Sequence, residues 1–254
     1  MTRVCLVVGA GAGIGGTVGS RFAREGYHAV LCRRSDEAGL ARLVADIEAE
    51  GGAASGRLLD ATQDGAIETL IEDVERDIGP IAVIVFNLGA QIGNRALVET
   101  SYKQFELGWR MATFALFRVA SAALPLMAAR GEGSLLVTSA TAAVRGNAGQ
   151  HSHAAAMGGR RMLCQTLNAE LAPQGIHVAH IIIDGPGDAP DTRGKMLGPE
   201  RYQQLREHRG LDKDGLLLPA EVAETYYQLA HQHRSAWTHE LDLRPWSDSP
   251  WWND

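Results

Sequence analysis

The amino-acid sequence predicts a doubly wound α/β fold, in which helices cover both faces of a parallel sheet. Two observations support this prediction. Short, continuously apolar segments alternate with longer segments of helical spacing, and a glycine-rich loop separates the first apolar segment from the first helix. A strand without a polar side is buried on both faces, as strands are in a parallel sheet covered by helices. We expect a single domain over residues 1–254.

The first half of the chain repeats one strand and one helix in alternation. The strand segments are rich in β-branched residues, and the helical segments repeat apolar side chains every three or four residues. Strands are predicted at Arg3–Val8, Ala29–Cys32, Arg57–Leu59 and Ile81–Phe86. Helices are predicted at Thr17–Glu25, at Glu37–Glu50, through Ile67 to Val74, and from about Tyr102 to Arg130.

The alternation continues to Ile183 and then stops. Predicted elements of this part are a strand at Ser134–Thr138, a helix from about Gln150 to Ala172, a strand at His177–Ile183, a helix near Glu221–His231 and a strand near Trp237–Leu243. Residues 184–216 are rich in proline, glycine and charged side chains. Loops carry much of the binding function in such folds, so we expect these residues to form a substrate lid. The alternative is a surface insertion without a role in binding.

Composition and charge exclude several classes of function. The formal net charge is −6, and no block of basic residues offers a surface to nucleic acid or to an anionic membrane, so a small molecule is the expected partner. Cys5, Cys32 and Cys164 are odd in number and far apart, which argues against disulfides and a zinc site and favours the cytoplasm. No apolar run approaches the roughly 18 residues that span a bilayer.

A glycine-rich loop follows the first strand and opens the first helix. Its candidate cofactor-binding residues are Gly9, Gly11, Gly13, Ile14 and Gly15. Glycine permits a tight turn and the close approach of a pyrophosphate, whose charge the N-terminal end of a helix stabilises. The order of strand, loop and helix therefore predicts a nucleotide site, with a purely structural turn as the alternative.

Two arginines end the second strand, at the position where such folds recognise the ribose. An NAD-specific site places a carboxylate there to bind the 2′-hydroxyl, but this chain has Arg33 and Arg34. Guanidinium groups pair with a 2′-phosphate through charge-assisted, fork-shaped hydrogen bonds. The pair therefore predicts NADP(H) as cofactor. The alternative is two solvated arginines on a loop.

With these motifs in place, the chain resembles the short-chain dehydrogenase/reductase family. Gly9, Gly13 and Gly15 match the family pattern G-x-x-x-G-x-G. After the third strand, Asp60-Ala61 matches the adenine-binding position of the family, and the segment Asn87-Leu88-Gly89-Ala90 is similar to its N-N-A-G motif. The resemblance covers nearly the whole chain and implies a Rossmann-type fold.

The resemblance also implies a function. Family members transfer a hydride between a nicotinamide cofactor and a small carbonyl or alcohol, and here the cofactor would be NADP(H). Asp60, Ala61, Asn87 and Gly89 would then contact it. Relatives assemble through long helices, so a homodimer or homotetramer is expected.

The catalytic positions of the family carry other residues in this chain. Family members use a Tyr as proton donor, a Lys that lowers the pKa of that Tyr, a Ser that orients the carbonyl and an Asn that supports a water relay. In that order, the aligned residues are His153, Met157, Ala140 and Ala112. A shifted alignment does not restore the pattern, because no tyrosine lies within 103–201, no lysine within 104–194 and no asparagine within 95–146.

Two residues remain as catalytic candidates. His153 is the candidate proton donor, because an imidazole titrates near neutrality without a neighbouring lysine. The alternative is a histidine that only fills the volume of the lost tyrosine. Ser139 lies next to the aligned Ala140, although neighbouring strand residues point to opposite faces. His151 is a weaker candidate, and since no third ligand accompanies the two histidines, no metal site is expected.

Other side chains near the predicted site leave two hypotheses open. Possible substitute acids or bases in the lid are Asp184, Lys195, Tyr202 and His208. The tryptophans Trp246, Trp251 and Trp252 are expected to be buried against the body of the protein or a partner subunit. The first hypothesis is an NADP(H)-dependent oxidoreductase with a non-standard proton donor. The second is an NADP(H)-binding protein without redox turnover, either a non-redox catalyst or a regulatory subunit.

Overall fold

The computed structural model describes residues 2–90, 93–210 and 214–253. Its strands are β1 (Val4–Val8), β2 (His28–Arg33), β3 (Ala53–Leu58), β4 (Ile81–Phe86), β5 (Gly133–Ala140), β6 (Ile176–Ile183) and β7 (Glu240–Leu243). All pair in parallel in one sheet, in the order β3-β2-β1-β4-β5-β6-β7. The order changes direction between β1 and β4, and open α/β sheets bind ligands at the carboxyl ends of such a pair.

Helices cover both faces of this sheet. They are α1 (Ile14–Ala23), α2 (Glu37–Ala49), α3 (Ala66–Asp77), α4 (Tyr102–Trp109), α5 (Ala115–Arg130), α6 (His151–Leu171), α7 (Lys195–Leu197), α8 (Pro199–Arg209) and α9 (Pro219–Ala230). On one face, α1 and α9 pack through Phe22 and Tyr226. On the other, α3, α5 and α6 pack through Ile71, Leu116 and Cys164. The predicted doubly wound, Rossmann-type fold is confirmed.

Most element boundaries differ from the sequence prediction by one to four residues, and two of these differences have a clear physical reason. The third strand covers Ala53–Leu58 instead of Arg57–Leu59, because it lies at the sheet edge and pairs with β2 through small and polar residues that lack a strong apolar pattern. The first helix begins at Ile14 instead of Thr17. Its first turn contains Gly15 and Gly16, which are buried but have low helix propensity.

The segment after β6 is partly helical. Residues 184–216 contain a π-helical turn (Pro190–Gly194) followed by α7 and α8. Hydrogen bonds join the two ends of the segment: the Asp188 N–H donates to the Leu217 carbonyl (2.9 Å), and the Leu217 N–H donates to the Pro186 carbonyl (2.9 Å). The excursion therefore leaves and rejoins the fold at one point beside the carboxyl end of β6.

The long helical stretch Tyr102–Arg130 corrects one expectation. Its 29 residues have a mean hydropathy of 1.6 over the most apolar 18-residue window, so in length and composition it meets the criterion for a membrane span. The prediction that no apolar run approaches this limit holds for continuous runs, because Arg118 interrupts this one, but not for hydropathy averaged over a window. Half of that window is buried inside the protein, where Leu116, Val119 and Leu124 face the core. The apolar character of this stretch is that of a core helix.

A buried histidine links β6, β7 and α6. The His180 side chain is fully buried, and its Nδ1–H donates to Glu240 Oε2 (2.9 Å), which also accepts from Arg161 Nε (2.7 Å). Burial lowers the pKa of His180 from its ordinary value near 6.5 to about 4, although Glu240 opposes this shift. Burial also lowers the pKa of His177 and of His153. The folded state therefore holds these rings neutral.

These shifts predict a loss of stability in mild acid. Between pH 6.5 and about 4 the unfolded chain binds more protons than the folded chain, so the free energy of unfolding falls as the pH is lowered through this window. We expect a decrease of about 1 to 3 kcal/mol between pH 7 and pH 4.5, measured by urea unfolding.

The substitution His180→Asn tests the origin of this loss. Asparagine keeps an N–H donor for Glu240 but does not titrate, so the pH dependence should become shallower. His208→Asn, on an exposed position of α8, should keep the wild-type dependence. An unchanged pH dependence in His180→Asn would assign the acid sensitivity to other groups.

Candidate functional site

A cleft of about 530 Å³ opens at the carboxyl ends of β1, β2 and β4. All eleven residues proposed from the sequence as cofactor-binding line this cleft: Gly9, Gly11, Gly13, Ile14, Gly15, Arg33, Arg34, Asp60, Ala61, Asn87 and Gly89. They come together because each follows a parallel strand, and the carboxyl ends of parallel strands meet at one edge of the sheet.

Backbone packing shapes the glycine loop. Gly9 has φ +106°, and a Cβ there would lie 2.7 Å from the Asn87 carbonyl carbon; a Cβ on Gly15 would lie 2.3 Å from the Gly9 oxygen. The Asn87 Nδ2 group donates to the same Gly9 oxygen (2.9 Å). A Cβ on Gly11 or Gly89, in contrast, would meet no atom within 4 Å. The first two glycines thus allow the backbone to pack, and the other two leave open space in the cleft.

The arginine pair lies at one end of the cleft. Arg33 Nη2 forms an ion pair with Asp36 Oδ2 (3.0 Å), while its buried Nη1 has no hydrogen-bond partner among the described residues. Asp36 also caps α2, since its Oδ1 accepts from the Gly39 N–H (3.0 Å). Arg34 affects Asp60 only through its positive charge, which lowers the pKa of the Asp60 carboxyl. Both guanidinium groups therefore keep donors for an anion.

Asp60 is fixed by a tight turn after β3. Its Oδ1 accepts hydrogen bonds from the Thr62 hydroxyl (2.6 Å) and the Thr62 N–H (2.9 Å). These bonds hold the pKa of Asp60 below its ordinary value, and the Arg34 charge adds to the effect. The carboxylate therefore stays ionised on the cleft wall.

The sequence did not single out one cation on the cleft wall. Arg193, in the π-helical turn after β6, lines the cleft and forms no ion pair with a carboxylate in the described part of the chain. The same segment approaches the glycine loop, because a Cβ on Gly13 would lie 3.2 Å from the Ala189 Cβ. Residues 184–216 thus contact the glycine-loop side of the cleft, a contact between distant parts of the chain that no local pattern indicates.

Two of the four aligned catalytic positions lie together, in apolar surroundings. Ala112 and Met157 belong to one buried cluster with Ala90, Ala142 and Ala156. The Ser139 hydroxyl is buried and donates to the Met157 sulfur (3.8 Å). Ser139 is therefore not among the residues that line the cleft. The Ser139 side chain on β5 points to α6. Because it packs next to Met157, it does not contact the cleft.

His153 is half-buried at the start of α6 and lies against the Ala90 loop. The Ala90 backbone acts to raise the pKa of the ring, while Nδ1 is buried without a partner among the described residues. Burial, and secondly the Arg160 charge, lower the pKa of His153, so the ring is neutral at pH 7. His153 lines a separate small cavity together with His151 and Arg95, and not the main cleft.

Arg160 is a second residue that the sequence analysis missed. It is 1% exposed and is the largest fully buried side chain among the described residues. The residue lies two turns after His153 on α6, on the face that also carries Met157 and Cys164. That helical spacing was the available signal, because it places an arginine on an apolar helix face.

The lid side chains proposed as substitute acids or bases have other partners. The Tyr202 hydroxyl donates to Asp188, and burial raises the pKa of Tyr202 to about 12. Asp184 accepts from the Trp251 N–H (3.2 Å) and pairs with Arg244 (3.4 Å). None of Asp184, Lys195, Tyr202 and His208 is among the described residues that line the cleft.

The C-terminal tryptophans are only partly buried by the body of the protein. Trp251 donates from Nε1 to Asp242 Oδ2 (3.2 Å), and its carbonyl accepts from Arg145 (2.8 Å). Trp246 is 80% exposed and Trp252 is 55% exposed. The body of the protein therefore does not bury these two, and burial against a partner subunit, the other alternative predicted, stays a prediction.

Comparisons with known proteins agree with this geometry. A family model described as short chain dehydrogenase matches residues 3–188. The 3-oxoacyl-[acyl-carrier-protein] reductase FabG of Thermotoga maritima is 30% identical over 234 residues, which cover 92% of this chain and 92% of that protein. The chain belongs to the short-chain dehydrogenase family.

Solved structures show the same similarity. A short-chain dehydrogenase from Rhodopseudomonas palustris is 35% identical with a TM-score of 0.79, over 96% of this chain and 99% of its own. A variant of the actinorhodin polyketide ketoreductase, solved with NADPH, is 25% identical with a TM-score of 0.84, over 96% of each chain.

The glycine geometry predicts a large effect for one alanine substitution and a small effect for another. Gly15→Ala should lower the free energy of unfolding by about 3 kcal/mol, because its Cβ would overlap the Gly9 carbonyl oxygen. Gly11→Ala should change it by less than about 1 kcal/mol, because its Cβ meets open space. Urea unfolding of both variants is the measurement, and equal losses would contradict the packing described here.

Proposed function

We propose that this protein is an NADP(H)-dependent oxidoreductase that acts on a small carbonyl or alcohol. The observation that carries the proposal is the single cleft lined by the glycine loop, Asp60 and three arginines, Arg33, Arg34 and Arg193. A glycine loop at a helix N-terminus suits a pyrophosphate, and arginine suits a phosphate monoester. The ketoreductase of similar fold, solved with NADPH, supports the same assignment.

The residues present fit such a cofactor. Gly11 and Gly89 leave open space where a side chain would stand, and the Arg33 Nη1 group lacks a partner. The glycine loop would hold the pyrophosphate, Arg33 and Arg34 the 2′-phosphate, and Asp60 with Ala61 the adenine. Asn87 and Gly89 would contact the cofactor further along the cleft. Bound NADP(H) supplies hydride transfer to or from the substrate carbon.

His153 is the proton-transfer group in this proposal. Hydride transfer to a carbonyl carbon leaves an alkoxide that requires a proton, and the reverse reaction releases one. The neutral His153 ring carries one N–H and one lone pair, and its Nδ1 has no partner among the described residues. Because its pKa is lowered, His153 is neutral at neutral pH and can accept a proton. It can donate a proton only after it has become protonated. Its use requires substrate to reach the Nδ1 side of the Ala90 loop.

The excursion 184–216 acts as the lid of this site. Its Arg193 lies on the cleft wall, and Ala189 approaches Gly13, so the lid also covers the cofactor phosphates. The charge of Arg193 complements a pyrophosphate on the opposite wall. Closure of the lid would therefore depend on the cofactor as well as on the substrate.

A second function remains a candidate because of one specific observation. Ala90, Ala112, Ala142, Ala156 and Met157 fill the region of the aligned catalytic positions with apolar side chains. An NADP(H)-binding protein without redox turnover, either a non-redox catalyst or a regulatory subunit, fits that apolar region. Sustained, stoichiometric consumption of NADPH with any member of a broad carbonyl and alcohol panel would reject this alternative.

The environment and assembly of the protein are part of the proposal. Cys5, Cys32 and Cys164 are buried free thiols, which suits a reducing cytoplasm. The exposed aromatic side chains Trp109 and Phe117, on the long helical stretch, suit a homodimer or homotetramer.

Cofactor preference should depend on the arginine pair. In the double variant Arg33→Ala/Arg34→Ala, the NADPH dissociation constant should rise about 10- to 100-fold, because charge-assisted hydrogen bonds to the 2′-phosphate are lost. NADH affinity should change less than about threefold. Titration by nicotinamide fluorescence measures both.

Arg24→Ala is the matched control for this experiment, because Arg24 forms an exposed ion pair with Glu50 away from the cleft. It should leave both affinities unchanged. Equal weakening of NADPH and NADH in the double variant would contradict recognition of the 2′-phosphate, and absence of NADPH binding by the wild type would contradict the proposed function.

The role of His153 should appear in turnover. His153→Phe should lower kcat on any substrate that the panel identifies by about 10²- to 10⁴-fold, because a positioned acid or base is lost, while NADPH affinity stays the same. His151→Phe, on the same helix turn, is the control and should keep wild-type kcat. Unchanged kcat in His153→Phe would remove His153 from the mechanism.

A further inference from the structure

The Arg160 guanidinium is a buried cation without a carboxylate partner among the described residues. Its hydrogen bonds go to three main-chain carbonyls instead: Nη1 donates to Thr138 (2.6 Å), Nη2 to Leu88 (2.8 Å) and Nε to Ala112 (3.4 Å). The guanidinium carbon also lies 4.9 Å from the centre of the Phe86 ring. Burial of an ion costs several kcal/mol of folding free energy before such contacts offset it. A purely structural contact between these segments would not need a buried charge.

The three carbonyls belong to three segments around the inner end of the cleft. Leu88 lies in the loop after β4 and itself lines the cleft. Ala112 lies in the π-helical segment Arg110–Phe114 between α4 and α5, whose Met111 also lines the cleft. Thr138 is the residue before Ser139 on β5. One side chain on α6 thus joins two cleft walls and the end of a strand.

The hydrogen bond from Arg160 to the Ala112 carbonyl involves a π-helical segment, and this bears on the shape of the cleft. A π turn widens the helix and disturbs its regular hydrogen bonds, and such turns occur frequently at functional sites. A fork-shaped donor that holds one of its carbonyls fixes the position of the neighbouring Met111. The planar guanidinium has donors in fixed directions on three nitrogen atoms. The donors of a lysine ammonium all lie on one nitrogen at the end of a flexible chain, so they do not fix three separated carbonyls in the same way.

We infer that Arg160 is a positioning residue for the nicotinamide end of the cleft, because it fixes the Leu88 and Ala112 backbones and places a positive charge behind His153. This inference rests on the proposed function in one respect, namely that the cleft takes a nicotinamide cofactor. The Arg160 charge lowers the pKa of His153 in addition to burial, whereas the Ala90 backbone acts to raise it; Arg95 lines the same small cavity as His153. Arg160 therefore acts on both the wall and the candidate proton-transfer group.

Three variants of the full chain test this inference. Arg160→Met keeps the length of the side chain and removes the charge and the donors, Arg160→Lys keeps the charge, and Arg161→Met is the control. Arg161 is the next residue on α6, but its side chain pairs with Glu240 and not with the cleft walls. The Thr113 hydroxyl donates to the Ala156 carbonyl (2.7 Å), so α6 keeps another tie to the π-helical segment in all three.

Three readouts separate positioning from a general loss of structure. The NADPH dissociation constant should rise about tenfold in Arg160→Met and about threefold in Arg160→Lys, and stay within about twofold in Arg161→Met. Hydrogen exchange of residues 110–114 should become about tenfold faster in both Arg160 variants and not in the control. The pKa of His153, from an NMR titration, should rise in Arg160→Met only, because only that variant removes the nearby cation.

The outcomes are distinguishable. Wild-type affinity, exchange and His153 pKa in a folded Arg160→Met would overturn the inference. If Arg160→Met does not fold, Arg160→Lys decides, since unchanged exchange in residues 110–114 of that variant would overturn it as well. If the wild type binds no NADPH, the proposed function fails, and the exchange and NMR measurements still decide the role of Arg160.

Discussion

The close approach of the backbone at Gly9, Gly15 and Asn87 is the constraint on which the phosphate end of the cleft depends. A Cβ on Gly15 would lie 2.3 Å from the Gly9 oxygen, and the same oxygen accepts from Asn87 Nδ2. Because the backbones at these three residues are in direct contact, the chain turns tightly from β1 into α1. The strand β4 ends beside that turn. The N-terminal end of α1 therefore faces the cleft, where its partial positive charge favours an anion.

The two ends of the site differ in their electrostatics. At the outer end, Arg33 and Arg34 keep donors available, and Asp60 stays ionised under the influence of Thr62 and Arg34. At the inner end, alanines surround Ala112 and Met157, two of the positions that align with polar catalytic residues, and the buried Arg160 lies behind the wall. Such an arrangement favours tight binding of a charged ligand over an efficient proton transfer, since electrostatic stabilisation depends on groups that reach the reacting atoms.

The residues proposed from the sequence for the outer end of the site all line one cleft, for a physical reason. Residues such as Gly11, Asp60 and Gly89 directly follow strands, so the topology of a parallel sheet brings them to one edge without knowledge of side-chain packing. The inner end depends on which face of a helix packs inward and on contacts between distant segments. Arg160 stands next to Arg161 and resembles a solvated pair, yet only one of the two is buried, and the approach of Arg193 to the cleft requires the path of the whole excursion.

Cofactor binding and proton transfer share one segment in the proposed function. In residues 87–90, Asn87 and Gly89 face the cleft, Leu88 accepts from Arg160, and the Ala90 backbone acts to raise the pKa of His153. The neutral ring has one nitrogen with a lone pair, so it can act as a base, the form that removes a proton from an alcohol. By microscopic reversibility the protonated ring serves carbonyl reduction, and Arg160 disfavours that form. Movement of residues 87–90 would therefore change both the contacts with the cofactor and the protonation of His153.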